Sequence, residues 1–178
     1  WMRFYGLLFG VASEADSLFA EVDSCYSRLK KSAALSSVSL SIVSELKSGS
    51  AWYVPGGRST IGRLFNDACG RYVFSEDKHS GSIPLAFETV FDKAGDADVW
   101  TIKYNRDMTY ADLKADYMGY TGFKAFKTRN IYGCNTAKVP FYEETPFRPD
   151  YLLADLIQIL HPEIGDLGGL RYFCKLNE

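Results

Sequence analysis

The chain has 178 residues, of which 47% are hydrophobic and 24% charged, and its formal net charge is −2. This length and composition are typical of one globular domain with its own core, and the slightly acidic balance gives no electrostatic reason to expect nucleic acid as a partner. No stretch approaches the roughly 18 consecutive apolar residues that a membrane-spanning helix needs.

The first residues resemble the middle of an apolar helical pattern rather than its start. The chain starts at Trp1 without a signal peptide, and Phe4, Leu7, Leu8 and Val11 follow at helical spacing. We therefore expect this segment to be a piece of a longer polypeptide, with Gly10 ending the short helix.

A long amphipathic helix follows. Ser13 is placed as its N-cap, and an apolar stripe runs from Ala15 to Leu29. Acidic residues lie early in this segment and basic residues late, which complements the helix dipole. The pattern predicts a helix over 13–31.

The next segment alternates strands, turns and a helix. Alternation predicts strands over 38–42 and 51–54, separated by a turn at 47–50. A helix is predicted over 60–70, with Ser59 or Thr60 as its cap. The glycine pair before it could leave backbone N–H groups open to a ligand, although a tight turn needs glycine equally.

The same alternation continues to the C-terminus. Strands are predicted over 72–74, 99–102 and 131–134, and helices over 86–94 and 109–118, the second of them capped by Thr109. A last helix is predicted with Asp150 as its cap. This order predicts an α/β fold, a three-layer lobe whose mainly parallel sheet is flanked by helices and preceded by the long helix. Ligands of such sheets bind beyond the carboxyl ends of the strands, where we expect the loops 54–59, 75–84, 103–109 and 135–149.

No group of residues predicts a catalytic or metal site. Four cysteines lie about 40 or more residues apart without metal-ligand spacing, and their even number permits a disulfide, although buried free thiols are favoured. His79 and His161 are distant in sequence, and Asp77, His79 and Ser80 are too close together for the usual triad geometry. We expect no enzyme, metal or cofactor.

One run of motifs resembles a known family. From residue 51 the chain reads Ala-Trp-Tyr-Val-Pro-Gly-Gly-Arg-Ser, then a helix, then Cys-Gly-Arg-Tyr-Val-Phe, and after a polar loop Ser-Ile-Pro-Leu-Ala-Phe-Glu-Thr-Val-Phe and Ala-Asp-Val-Trp. This order is similar to substrate-binding proteins of ABC importers with a rigid helical linker. That family serves the import of cobalamin, iron–siderophore complexes and haem.

The resemblance implies a division of the chain and a cellular role. Residues 1–12 would be the tail of an N-terminal lobe, 13–34 the helix that joins the lobes, and 35–178 the C-terminal lobe. The missing N-terminal lobe would supply the other wall of the cleft. The protein would be periplasmic or lipoprotein-anchored on the outer face of the inner membrane, with a metal chelate, corrinoid or haem as ligand.

The resemblance also implies site residues. Glu88 takes the position of the glutamate that docks on the membrane subunit of the importer, although an acidic residue in the first turn of a helix also complements the dipole. Core packing is the alternative for Trp52 and Tyr53. The residues implied to contact the ligand are Trp52, Tyr53, Arg58, Ser80, Ser82, Tyr104, Phe141, Tyr142 and Glu143.

Two other functions compete with solute capture. A lobe of this design can be reused as a sensor or protein-interaction domain, and a small hydrolase is a further alternative. A start codon near Trp1 in the parent reading frame would contradict the two-lobed interpretation.

Overall fold

A computed structural model describes residues 1–165 and 167–178 and confirms the α/β class. Its main sheet has five strands in the order β4-β1-β6-β7-β8, with the first four parallel and β8 antiparallel to β7. The strands are β1 (Ser41–Ser44), β4 (Arg71–Tyr72), β6 (Val99–Tyr104), β7 (Ile131–Asn135) and β8 (Cys174–Lys175).

A second, smaller sheet lies over one face of the first. It is antiparallel and consists of β2 (Lys47–Ser48), β3 (Ala51–Pro55) and β5 (Ser82–Leu85). The prediction of a loop over 75–84 is wrong for its last residues, because Ile83 pairs with Val54 and Pro84 with Tyr53. The polar and proline content of the segment concealed this edge strand.

Helices cover both faces of the main sheet. Helix α2 has 23 residues, which gives a rod of about 34 Å at the usual rise. The helices are α1 (Met2–Leu8), α2 (Ala12–Ala34), α3 (Thr60–Asp67), α4 (Phe87–Ala94), α5 (Tyr110–Asp116), α6 (Lys124–Lys127), α7 (Phe141–Glu144) and α8 (Pro149–Leu160), with 3₁₀ turns at Met118–Gly122 and Pro162–Ile164.

Two predicted helix caps are confirmed. Ser59 Oγ accepts a hydrogen bond from Gly62 N–H at 3.0 Å at the start of α3. At the start of α5, the side chains and backbone of Thr109 and Asp112 form a reciprocal capping box.

Two other predicted caps are wrong. Helix α2 begins one residue before Ser13, after Val11, and has no side-chain cap. Asp150 lies inside the first turn of α8 and is fully buried, where it accepts two hydrogen bonds from Arg148 at 2.7 and 3.0 Å. A buried carboxylate needs such a charged partner, which explains its departure from the capping position.

The core fills both faces of the main sheet. On one face, Trp52, Trp100 and Phe123 pack with ring centroids 5.1 to 5.6 Å apart. The other face is covered by α3 and α8, whose Phe65 and Leu156 are almost fully buried. The site therefore has a rigid platform on both sides of its strands.

The C-terminal segment is fastened to this core by one carboxylate. Asp155, buried in α8, accepts hydrogen bonds from the backbone N–H groups of Arg171, Tyr172 and Phe173 at 2.8 to 3.1 Å. Burial raises the pKa of Asp155, and the three donors oppose that rise. This anchor positions β8 beside β7.

The cysteines are unpaired in the part of the chain that the structure describes. Cys134 is buried, Cys25 and Cys69 are half-buried, and Cys174 is exposed. Burial raises the pKa of the Cys134 thiol to about 12, so it behaves as an inert, small apolar side chain.

Candidate functional site

The carboxyl ends of the parallel strands meet at one edge of the sheet, and a reversal of strand order lies there. The chain leaves β1 toward β4 on one side, whereas it leaves β6 toward β7 on the other. In open α/β sheets this switch point opens a crevice in which ligands bind. The residues between the ends of β1 and β6 are therefore the first place to look for a site.

An ion pair occupies this switch point. Glu45 follows β1 directly, Lys103 lies near the end of β6, and the Lys103 ammonium donates to the Glu45 carboxylate. Their side chains are 23% and 20% exposed, so the pair lies at the surface of the crevice without being fully solvated. Such a pair is only partly screened by water.

The backbone of Glu45 is held in an unusual conformation. Its φ is +70°, in the left-handed region that residues other than glycine seldom adopt. Its N–H donates to the Thr101 carbonyl at 2.9 Å, and its own carbonyl accepts from the Trp100 indole at 2.8 Å. The Trp52 indole donates to the preceding carbonyl, that of Ser44, at 3.0 Å. Strained residues held by several bonds are common at functional sites.

A small cavity of about 20 Å³ adjoins the ion pair. Its polar wall includes Ser44, whose buried hydroxyl has no hydrogen-bond partner among the described residues. The Phe141 ring centroid lies 5.6 Å from the Lys103 ammonium on another side. The cavity is large enough for about one water-sized group.

Trp52 does not line the crevice. Its side chain is fully buried between Trp100, Phe87 and Phe123, so the core-packing alternative describes it. Tyr53, its neighbour on the opposite side of β3, is exposed.

The glycine pair serves close packing. Gly56 N–H donates to the Gly81 carbonyl at 2.8 Å and Arg58 N–H to the His79 carbonyl at 3.2 Å, so these two N–H groups are not open to a ligand and the tight-turn alternative describes them. A Cβ on Gly57 would lie 2.1 Å from the Ser75 carbonyl oxygen. The two loops interlock because glycine permits this approach.

The side chains around these loops remain available. Arg58, Ser80 and Ser82 are exposed, and the Arg58 guanidinium forms no ion pair with any described residue. The Pro55 carbonyl accepts from the Tyr72 hydroxyl at 2.5 Å at the end of β4, which places the loop after β3 at the carboxyl edge.

Tyr104 lies at the end of β6, on the face opposite Lys103. Its ring crosses Gly133 so closely that a Cβ there would lie 2.2 Å from the tyrosine oxygen. Burial raises the pKa of Tyr104 to about 12, so its hydroxyl stays protonated and can donate.

The loop after β7 is more ordered than the predicted long loop over 135–149. Helix α7 forms within it and buries Phe141, while Tyr142 and Glu143 are exposed. Glu144 accepts two hydrogen bonds from the Arg171 guanidinium at 2.6 Å each, and these bonds lower the pKa of Glu144. The pair ties the loop to the C-terminal segment.

Glu88 lies apart from this crevice, in the first turn of α4, and is exposed. It lines a cavity of about 570 Å³ with Phe87, Phe91, Asp92 and Tyr117 among its neighbours. The carboxylate is therefore open to another molecule.

The histidines take structural positions. His79 Nδ1 lies 3.1 Å from both Asp77 oxygens in an exposed loop. His161 is fully buried, with Nε2 2.7 Å from the Ala68 carbonyl oxygen. The residues that the structure describes contain no cluster of three or more His, Cys, Asp or Glu that could hold a metal ion.

An uncovered apolar face lies near the same edge of the sheet. Helix α1 and the turn after it expose Trp1, Phe4, Leu7, Leu8 and Phe9. Tyr5 of this helix contacts Phe147, with ring centroids 6.0 Å apart, just before α8. The N-terminal half of α2 lies toward this edge, because Glu21 is 3.5 Å from the Arg148 guanidinium at the start of α8. Within the described ranges no helix is long and apolar enough to cross a membrane.

The family model of periplasmic binding proteins matches residues 1–137. The chain belongs to the periplasmic binding protein family. This family is one of binding proteins, in agreement with the expectation that the chain is not an enzyme.

Relatives of the family are longer than this chain. An uncharacterized lipoprotein of Methanocaldococcus jannaschii is 27% identical over 181 residues, which cover 99% of this chain and 42% of the relative. The chain thus spans less than half the length of that relative.

Solved structures share the fold across the whole chain. A periplasmic heme binding protein from Pseudomonas aeruginosa has a TM-score of 0.74 at 15% identity, covering 99% of this chain and 63% of the other. The TroA-like periplasmic binding protein FepB from Veillonella parvula has a TM-score of 0.73 at 12% identity, covering 99% and 60%. This partial coverage fits one lobe of a two-lobed binding protein.

Sequence reasoning missed Glu45 and Lys103. Their contact joins residues 58 positions apart through the register of β1 and β6. The available signal was that each lies at or just after the carboxyl end of a predicted parallel strand.

Proposed function

We propose that this chain is the C-terminal lobe of a solute-binding protein that captures its ligand outside the membrane and delivers it to an ABC importer. Residues 1–12 belong to the N-terminal lobe, 13–34 form the helix between the lobes, and 35–178 form the C-terminal wall of the cleft. Haem, an iron–siderophore complex or a corrinoid is the ligand.

The observation that carries this proposal is the position of the uncovered apolar face. The exposed side chains of α1 lie near the edge where the strands end, and exposed apolar patches mark interaction sites. A second lobe packed on α1 would face the switch point and close a cleft over it. The greater length of the M. jannaschii relative provides the residues for such a lobe.

The chemistry of the crevice suits a flat, partly apolar ligand. Exposed Tyr53 and Tyr142 offer ring surface, and the free Arg58 guanidinium can bind a carboxylate. The other ligand contacts in this proposal are Ser80, Ser82, Tyr104, Phe141 and Glu143. Trp52 is left out because it lies fully in the core, whereas Phe141, although buried, lines the small cavity beside Lys103.

Delivery requires a docking residue, and Glu88 takes that role in the proposal. Its exposed carboxylate in the first turn of α4 can pair with an arginine of the importer's membrane subunit. The lipoprotein name of the M. jannaschii relative supports an outer location, periplasmic or lipoprotein-anchored.

The test uses the full two-lobed parent protein. Tryptophan fluorescence is followed during titration with haem, cobalamin and a ferric siderophore, and one of them should give a saturable change that the isolated chain gives weakly or not at all. With the importer present, Glu88→Ala should lower stimulation of its ATPase while the ligand affinity stays unchanged.

Asp23→Ala is the matched control, because Asp23 is an exposed carboxylate on helix α2 without an ion pair among the described residues. No binding of any of the three ligands would contradict solute capture. Loss of ligand affinity in the Glu88 variant would contradict the docking role. A sensor or interaction lobe would bind no importer at all.

A further inference from the structure

We infer that Lys103 is an anion-binding residue of the crevice, and that Glu45 occupies its ammonium until an acidic group of the ligand replaces the glutamate. The occupant is a carboxylate or a similar anionic oxygen group. The inference deepens the proposed function, on which it rests only for the identity of the molecule that carries this group.

The position of the pair is the first argument. Both residues lie at the ends of β1 and β6, on the two strands that flank the switch point. An ion pair that only joined the two strands could lie at any position along them. At the switch point its charges face the crevice in which ligands of this fold bind.

The partial exposure of the pair is the second argument. At about one fifth exposed, the two side chains are shielded enough for the charges to attract strongly and open enough for a ligand to reach them. Lysine presents three rotatable donors on a flexible stem, so its ammonium can exchange one carboxylate for another without moving the strand.

The unpartnered hydroxyl of Ser44 is the third, independent argument. It is buried, it lines the small cavity beside Lys103, and it accepts or donates no hydrogen bond among the described residues. Buried polar groups are nearly always paired in a native protein, so an unpaired hydroxyl indicates a missing partner. One oxygen of an anionic group that enters the cavity would accept from both Ser44 and Lys103.

The backbone of Glu45 is held in place, which allows its side chain to move away from Lys103. Its left-handed conformation is fixed by the Thr101 carbonyl and the Trp100 indole, so the main chain stays in place while the side chain swings out. The Phe141 ring, 5.6 Å from the ammonium, keeps favourable contact with the cation during this exchange.

Propionate is the probe, because it carries the acidic group alone and can be tested on this chain without its natural ligand. The side-chain NMR signal of Lys103, assigned by its loss in Lys103→Gln, should shift saturably with propionate and not with propionamide at matched ionic strength. Glu45→Gln should tighten propionate binding by about fivefold, because it removes a competing negative charge.

Matched variants separate recognition from folding. Asp96→Asn removes one exposed charge at the amino end of β6, away from the crevice, and should leave propionate binding unchanged. Lys103→Arg should retain binding, while Lys103→Gln should lose it. Circular dichroism verifies that each variant is folded. If Lys103→Gln does not fold, the tighter binding expected of Glu45→Gln and the unchanged binding expected of Asp96→Asn still decide the matter.

The inference is overturned if the Lys103 signal shows no saturable shift in either the parent chain or Glu45→Gln, or if Glu45→Gln weakens binding. Failure of the proposed function looks different. In that case the two-lobed protein binds none of haem, cobalamin and the ferric siderophore, while propionate still binds at Lys103.

Discussion

At the scale of single residues, two tryptophans shape the site without touching its surface. The indoles of Trp52 and Trp100 donate to the consecutive carbonyls of Ser44 and Glu45, at 3.0 and 2.8 Å. These bonds satisfy two carbonyls where β1 ends and hold Glu45 in its left-handed conformation. Trp52, which the resemblance implied as a ligand contact, therefore supports the end of β1 from the core, as Trp100 does.

Trp100→Phe tests this support. The substitution keeps an aromatic ring but leaves the Glu45 carbonyl without its donor and opens space in the core, so we expect a loss of about 1 to 3 kcal/mol in the free energy of unfolding. Urea unfolding followed by circular dichroism measures the loss. Trp1→Phe is the matched control, since Trp1 is 80% exposed and its substitution should change stability by less than about 0.5 kcal/mol. Equal effects of the two substitutions would show that the indole bond has no structural importance.

At the scale of elements, the helices and strands with signals in their own sequence were predicted, whereas a strand that depends on non-local pairing was missed. Helices α4 and α5 and strands β6 and β7 carry their caps or apolar patterns within the segment itself, and each was predicted to within a few residues. Strand β5 was missed because its only support is pairing with β3, and a polar segment with a proline gives no period-2 pattern.

The candidate site divides in the same way. Tyr104 and the loop after β7 could be placed at the carboxyl edge from strand order alone. The pairing of Glu45 with Lys103 could not, because it depends on the register Ser44↔Thr101 and on a φ of +70° at a residue that normally avoids it. Register and strain are properties of the assembled sheet rather than of either segment.

Asp98 provides an element-scale prediction, because it joins the amino ends of β1 and β6. It accepts from Ser41 N–H and Oγ at 2.8 and 2.7 Å and from Lys124 Nζ at 2.6 Å. Burial disfavours its charge, but the hydrogen bonds from Lys124 and Ser41 outweigh that effect and lower the pKa of Asp98 to about 2.

A carboxyl group whose pKa is lowered by folding stabilises the protein at pH values above its pKa in the unfolded state. That stability is lost as the pH falls through its pKa in the folded state. Asp98→Asn should therefore unfold more easily than the parent at pH 7, by about 1 to 3 kcal/mol, and the difference should shrink between about pH 4 and pH 2. Urea unfolding at several pH values measures it, with Asp96→Asn as an exposed neighbouring control. A difference that does not depend on pH would mean that the Asp98 charge is not involved.

At the scale of the whole molecule, exposed apolar side chains are distributed unevenly between the two ends of α2. Exposed apolar side chains are concentrated on α1 and the residues that flank it, beside the N-terminal end of α2: Trp1, Phe4, Leu7, Leu8 and Phe9. Among the described residues at the opposite end of α2, Leu35 is exposed and Val38 is 36% exposed. The cluster at α1 contains more exposed apolar side chains, and such clusters mark interaction sites.

The isolated chain should accordingly self-associate through α1. We expect its apparent mass in size-exclusion chromatography with light scattering to rise with concentration, because burying the shared apolar face lowers the free energy of each copy. The double variant Leu7→Glu, Phe9→Glu should remain monomeric at the same concentrations, since charges on this face oppose burial.

Leu35→Glu is the matched control. Leu35 is 88% exposed, but it lies at the other end of α2, so its substitution should leave the association unchanged. In the two-lobed parent the same face is covered in our proposal, and that protein should not associate. A monomeric isolated chain at all concentrations, or association that Leu35→Glu abolishes, would contradict the assignment of α1 as the surface that receives the second lobe.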